Sequence, residues 1–265
     1  MMAVLEQIFL NFDTMLLVLA RISGIVFVSM IFGRRNVPAV FYIGLIISLS
    51  YILVAYYPLF GQSSLEINSY AQLAFLTIRE LTIGAIMGYI NLLMFSALLL
   101  LAGQLIDTHI GFGVVSVVDP QHNIQIPLIG NFYNVLALVL FFAVNGHHSL
   151  IRLLVYSYEI MPPGKVGIDS GISIIMLNMF IESFVLGVKL AVPVIASALL
   201  AEVVFGILIR VMPQMNIFII GLPFKILLGL TILFLMVPIY IDLFEGIFYD
   251  MFKAIKNVIQ GMGIQ

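Results

Sequence analysis

The chain is 265 residues long, 63% hydrophobic and only 9% charged, with a formal net charge of -2 and no cysteine. Its mean hydropathy of +1.20 marks a helical protein built for a membrane or for an equally apolar assembly. The charge balance gives no footing for nucleic acid, and the absence of cysteine excludes disulfides, thiolate metal sites and cysteine nucleophiles together.

In chain order, the N-terminal segment carries Glu6 and Asp13 and no basic residue before Arg21. It therefore lacks the basic start of a secretory signal and reads as uncleaved. A first apolar run spans Met15 to Phe32 and closes on Gly33, Arg34, Arg35 and Pro38, and a second covers Ala39 to Phe60 before a polar turn at Gly61 to Ser69. The third, Ala71 to Ile106, has 36 residues, against about 20 that cross hydrocarbon. It must kink, extend beyond the bilayer or fold into a hairpin. Within it Gly84 and Gly88 have the spacing that lets helices approach closely, with Ser96, Ala97, Ala102 and Gly103 following.

The segment GFGVVSVVDPQHNIQIPLIG, Gly111 to Gly130, then breaks the apolar pattern with glycines, prolines and amides. Another apolar run occupies Pro127 to Asn145, and a polar connector through MPPGK extends to about Ser170. A second overlong run covers Gly171 to Val211, PQMN follows, and Ile217 to Ile241 completes the apolar set. From Asp242 to Gln265 the residues Phe244, Ile247, Phe248, Met251, Ile255 and Ile259 recur at helical spacing, predicting an amphipathic tail lying on a partner or a membrane surface.

The basic clusters Arg34 with Arg35, Arg152 with Lys165, and Lys253 with Lys256 cannot share one side of a bilayer if each run crosses once. The topology is unusual, or some helices do not cross. Charged residues inside the runs are Arg21, Arg79, Glu80, Glu182, Lys189, Glu202 and Lys225. Such groups are costly in hydrocarbon and face a partner or a cavity. They read either as buried pairs fixing helix register or as a polar network for protons or ions, the former favoured because no span concentrates acids.

Catalytic patterns are missing: there is no HExxH and no Gly-x-Ser-x-Gly elbow. PPGKV lacks the remainder of a phosphate-binding loop, and GFGVVS places Ser116 where a dinucleotide fingerprint needs glycine. Adjacent His147 and His148 diverge on a helix, and His109 and His122 lack ligand spacing, so no metal and no other cofactor is expected.

Several ordered motifs carry a family resemblance: ARISG at Ala20 to Gly24, RNVPA at Arg35 to Ala39, AGQLID at Ala102 to Asp107, then GFG and VDPQ, NGHH at Asn145 to His148, LAVPV at Leu190 to Val194, and RVMPQMNIFIIGLPFK at Arg210 to Lys225. In this combination the chain resembles the FliR/SctT family of type III secretion export-gate subunits, and NGHH favours the flagellar branch. The resemblance implies an all-α fold of long kinked helices and helical hairpins: a FliP-like part over residues 1–170 joined to a FliQ-like hairpin and amphipathic tail over 171–265, as one folding unit. It implies a non-enzymatic export-channel subunit in the bacterial inner membrane at the flagellar basal body. Its partners would be FliP, FliQ, FlhB, FlhA, membrane lipid and unfolded flagellar substrates, with no nucleic acid.

Carried onto this sequence, the family's plug loop would be Gly111 to Gln125. Gly111, Phe112, Gly113, Val114, Val115, Val117, Val118, Asp119 and Pro120 would make its body. Glycine permits turns that other residues resist, and proline blocks helix continuation. Met212, Pro213, Gln214, Met215, Asn216, Phe218, Pro223 and Lys225 would belong to a loop at the cytoplasmic entrance. A small-solute secondary transporter is the alternative; it would need paired broken helices around a midplane site, and the two overlong runs only faintly echo that.

Overall fold

A computed structural model describes residues 12–31, 38–56, 69–112, 117–119, 124–164, 171–214 and 216–263. In chain order these form α1 (Phe12–Val28), α2 (Ala39–Tyr56), α3 (Tyr70–Ser96), a π-helical segment (Ala97–Ala102), α4 (Gly103–Ile110), strands β1 (Val117–Asp119) and β2 (Ile124–Ile126), α5 (Leu128–Ala143), α6 (Gly146–Ile160), α7 (Gly171–Val211) and α8 (Ile217–Gly263). Among the described residues the fold is all-α apart from this two-stranded antiparallel ribbon. Among the described residues three helices, α3, α7 and α8, are long and apolar enough to cross a membrane. The pair α5 and α6, bent by 69°, makes a fourth if it counts as one broken span.

The chain gathers into two compact units. The first takes residues 1–93, 145–179 and 249–265. Its core of Val18, Ile22, Val26, Ile46, Leu53, Leu154 and Tyr158 joins α1, α2 and α6. Glycines set how closely α1 and α3 approach. A side chain at Gly24 would meet the backbone of Leu81 and Ala85, one at Gly84 the Arg21 carbonyl, and one at Gly88 the Ile25 carbonyl at 2.9 Å. The small-residue spacing of α3 thus serves contact with α1, with Gly24 as the reciprocal notch.

The second unit takes residues 94–144 and 180–248. Tyr133 on α5 lies edge-on to Tyr240 and Phe244 of α8, with ring centres 5.2 and 6.2 Å away. Phe95 and Phe141 pack against Phe248 at 6.1 and 5.5 Å. In this unit α7 and α8 form an antiparallel hairpin. The Tyr240 hydroxyl donates to the Leu190 carbonyl (3.1 Å), Lys225 pairs with Glu202 (2.5 Å), and Phe205 meets Phe224 edge-on at 5.5 Å. All three pairs straddle the Pro213–Gln214 turn symmetrically.

One expectation is narrowed and one changes. Of the three courses open to the long third run, folding back as a hairpin is removed: α3, the π-segment and α4 continue one another. The amphipathic tail is not free to lie on a partner or a bilayer, because α8 runs unbroken to Gly263 and Phe244, Ile247, Phe248, Met251, Ile255 and Ile259 are all buried in their own chain. An apolar stripe requires a cover, but its periodicity does not say what supplies it. Here Met251 accepts from Asn91 of α3 (3.4 Å), and Gly263 abuts Ile160 of α6.

Candidate functional site: a strand hairpin and its helical base

Helix α4 ends where Gly111 adopts φ 100°, a left-handed cap whose N–H donates to the Asp107 carbonyl at 3.1 Å. Only glycine takes that conformation without strain. It also abuts α8, since a side chain at Gly111 would lie 2.7 Å from Leu222 Cδ1. Phe112 follows, half-buried. The chain then pairs Val117 with Ile126, Val118 with Gln125 and Asp119 with Ile124. The non-helical break read from the sequence is thus a β-hairpin. Its β-branched strand VVD would have been the signal. Gly113, Val114, Val115 and Pro120 lie outside the described residues.

The hairpin returns through Pro127 into α5. Pro127 sits at the N-cap with φ -57° and ψ 127° and has no side-chain acceptor to offer the first helical amides. Asp107 supplies one from α4: its Oδ1 accepts the Ile129 N–H at 3.2 Å. Beside it Gly103 lies directly on the Gly130 backbone, a contact that any side chain at Gly103 would occupy. Burial raises the Asp107 carboxyl above the usual carboxylate range, and the amides of Ile129 and Leu128 pull it back toward ionisation. Asp107 enters the sequence reading only as part of AGQLID; nothing local marks a residue that caps a helix 22 positions away.

The residues expected in an entrance loop divide. Met212, Pro213, Gln214 and Asn216 are exposed between α7 and α8, whereas Phe218, Pro223 and Lys225 fall inside α8. Met215 lies outside the described residues. The helix starts here because the Ile219 N–H closes on the Asn216 carbonyl at 3.2 Å, and Pro223 is carried within it.

The charged residues of the apolar runs form no single network. Arg21, fully buried, donates through Nε to Glu80 Oε2 (2.6 Å), through Nη1 to Ser157 Oγ (3.1 Å) and through Nη2 to the Met161 carbonyl (3.0 Å). Its guanidinium lies 4.2 Å from the Tyr158 ring centre. The second oxygen of Glu80 accepts the Gly164 N–H at 2.9 Å. Glu202 and Lys225 make a separate pair, while Arg79, Glu182 and Lys189 have no ion-pair partner among the described residues; Glu182 and Lys189 are exposed. Ser157, Tyr158, Met161 and Gly164 were not legible as partners because they lie 136 to 140 residues from Arg21 or 84 from Glu80. Among the described residues no group of three or more histidine or carboxylate side chains could hold a metal. His147 and His148 instead lie side by side with ring centres 4.2 Å apart and planes tilted by 43°, beyond the left-handed Asn145 between α5 and α6.

Comparison with known proteins places this architecture. The model of the bacterial export proteins, family 1, matches residues 12–251. The flagellar biosynthetic protein FliR of Bacillus subtilis is 31% identical, over 96% of this chain and 97% of that protein. FliR of Aquifex aeolicus is 31% identical over 93% and 94%, and FliR of Escherichia coli 27% identical over 91% and 90%. The relatives are named as flagellar biosynthetic proteins, and the matching family as bacterial export proteins. An apolar chain of long helices, matched over nearly its whole length, therefore belongs to the FliR family of flagellar biosynthetic proteins.

Proposed function

We propose that this chain is a subunit of the flagellar type III protein export gate, in the bacterial inner membrane at the basal body. It assembles with FliP and FliQ into the channel that passes unfolded rod, hook and filament proteins, next to FlhA and FlhB. The observation that carries this reading is the β-hairpin formed by Val117–Asp119 and Ile124–Ile126. It is the one stretch of strand among the described residues of an otherwise helical chain, and irregular backbone at membrane depth is tolerated only where protein or a cavity surrounds it. In this reading the hairpin is the plug of the closed pore, with Phe112, Val114, Val115, Val117 and Val118 as its apolar body. The exposed Met212, Pro213, Gln214 and Asn216 lie toward the cytoplasmic entrance.

Assembly is supported by what the chain leaves uncovered. Leu16, Phe27, Ile43, Ile47 and Ile78 line an open apolar groove of about 500 Å³ within the first unit. Glu182 and Lys189 stand exposed on α7 among Phe180, Ile181, Phe184 and Val185. Charges on such a face require partners. The antiparallel α7–α8 hairpin supports a FliQ-like part beginning near residue 171, after a FliP-like part over 1–170 that holds the plug.

The test has two steps. Gentle extraction from membranes containing FliP and FliQ should give a defined hetero-oligomer by native mass; a lone chain, with both siblings present and stable, would sink the proposal and return weight to solute transport. Deleting Val114 to Val118 should then make the assembled channel leak ions, and unchanged conductance with normal assembly would remove the plug role.

A further inference from the structure

We infer that Asp107 is the positioning residue of the hairpin: its carboxylate, reaching from α4 to the first turn of α5, closes the base from which the strands project. Three observations converge. Pro127 stands where a helix-capping side chain belongs and has none to give. Asp107 is buried and its Oδ1 accepts the Ile129 N–H. Gly103 and Gly130 bring the two backbones into contact one turn further from the hairpin, so the carboxylate sits between a fixed contact and the strands. On the α4 side, Gly111 turns the chain out of the helix with its N–H on the Asp107 carbonyl. One residue thus ties both ends of the excursion: its backbone caps the outgoing helix and its side chain caps the returning one. Burial pushes the carboxyl upward, and both helix-start amides oppose that shift, as expected of a group bound to a helix terminus.

The inference rests on the plug reading for its consequence but not for its geometry, and the test separates the two. Because the chain has no cysteine, Val118→Cys with Gln125→Cys, a register pair, reports strand pairing by disulfide formation in membranes without background. Opposed antiparallel positions lie within disulfide reach. Asp107→Ala should lower the closed-to-open ratio of the hairpin about fivefold, the ordinary effect of losing a helix cap, and slow cross-linking accordingly. Asp107→Asn keeps a carbonyl oxygen at the same place and should cross-link like the parent. Pro127→Ser, added to Asp107→Ala, supplies a local cap and should restore cross-linking.

Parent-like cross-linking in Asp107→Ala would overturn the inference, as would equal loss in Asp107→Asn or no rescue by Pro127→Ser. Should Asp107→Ala fail to accumulate, rescue is read as accumulation of the double variant, and its absence counts against the cap. Ion conductance of the same membranes tests the other reading: lost cross-linking without any leak leaves the positioning role standing and removes the plug.

Discussion

Arg21 and Lys225 are both cations within apolar helices, each paired with a glutamate, and they solve the cost of that placement in opposite ways. Arg21 is sealed in the first unit and satisfied from three sides: by Glu80 on α3, by Ser157 on α6 and by the carbonyl of Met161. Lys225 meets Glu202 alone, with side chains 20% and 46% exposed, on the hairpin of the second unit. A charge that reaches several elements fixes how they meet. A charge shared by two neighbouring helices fixes only their register and leaves the outer face available.

The contrast breaks most readily at Glu80. Glu80→Ala leaves Arg21 charged and buried without its carboxylate and should cost about 3–5 kcal/mol. The check is thermal unfolding in detergent; if Arg21→Met with Glu80→Met melts no higher than the single variant, the uncompensated charge is not what destabilises it. Next comes Gly84→Val, which drives a side chain onto the Arg21 carbonyl and should cost about 1–3 kcal/mol by overpacking. A melting temperature equal to the parent's would mean that α1 and α3 are not held this closely. Lys225→Met should move the stability of the isolated chain by less than about 1 kcal/mol, as partly exposed pairs do; a loss on the scale of Glu80→Ala would erase the distinction between the two sites. The smallest effect is expected at Gly206, where an added side chain meets nothing. Gly206→Ala should raise the melting temperature slightly, worth up to about 1 kcal/mol from helix propensity. If the same change weakens co-purification with FliP and FliQ, that open face is an assembly surface.

Much of the fold was legible where one signal dominates. The limits of α7 follow from an apolar run between a polar connector and Pro213, and α8 begins at Ile217 as the run after PQMN does. The end of α8 was hidden because a fully apolar stretch and an amphipathic stretch share one helix that carries Pro238 near their junction without ending there. The glycines of α3 announced close packing but not α1 as the partner, since spacing describes a surface and not what covers it. The same limit applies to Arg21, whose cost was evident and whose partners were not. At the hairpin, glycine and proline located the break, while the strand pairing depended on residues on both sides of a turn. Asp107 was least legible of all, because a cap supplied from another helix leaves no local pattern.

The π-helical turn at Ala97–Ala102 carries one last implication. A wider turn of this kind takes up one residue more than an α-helical turn and rotates everything beyond it by roughly 100°. Gly103 and Asp107 owe their aim at α5 to that rotation. Trimming a single residue from this stretch would leave composition and hydropathy almost untouched, yet would swing both away from α5. Here the chain stores structural information in its length and angular phase.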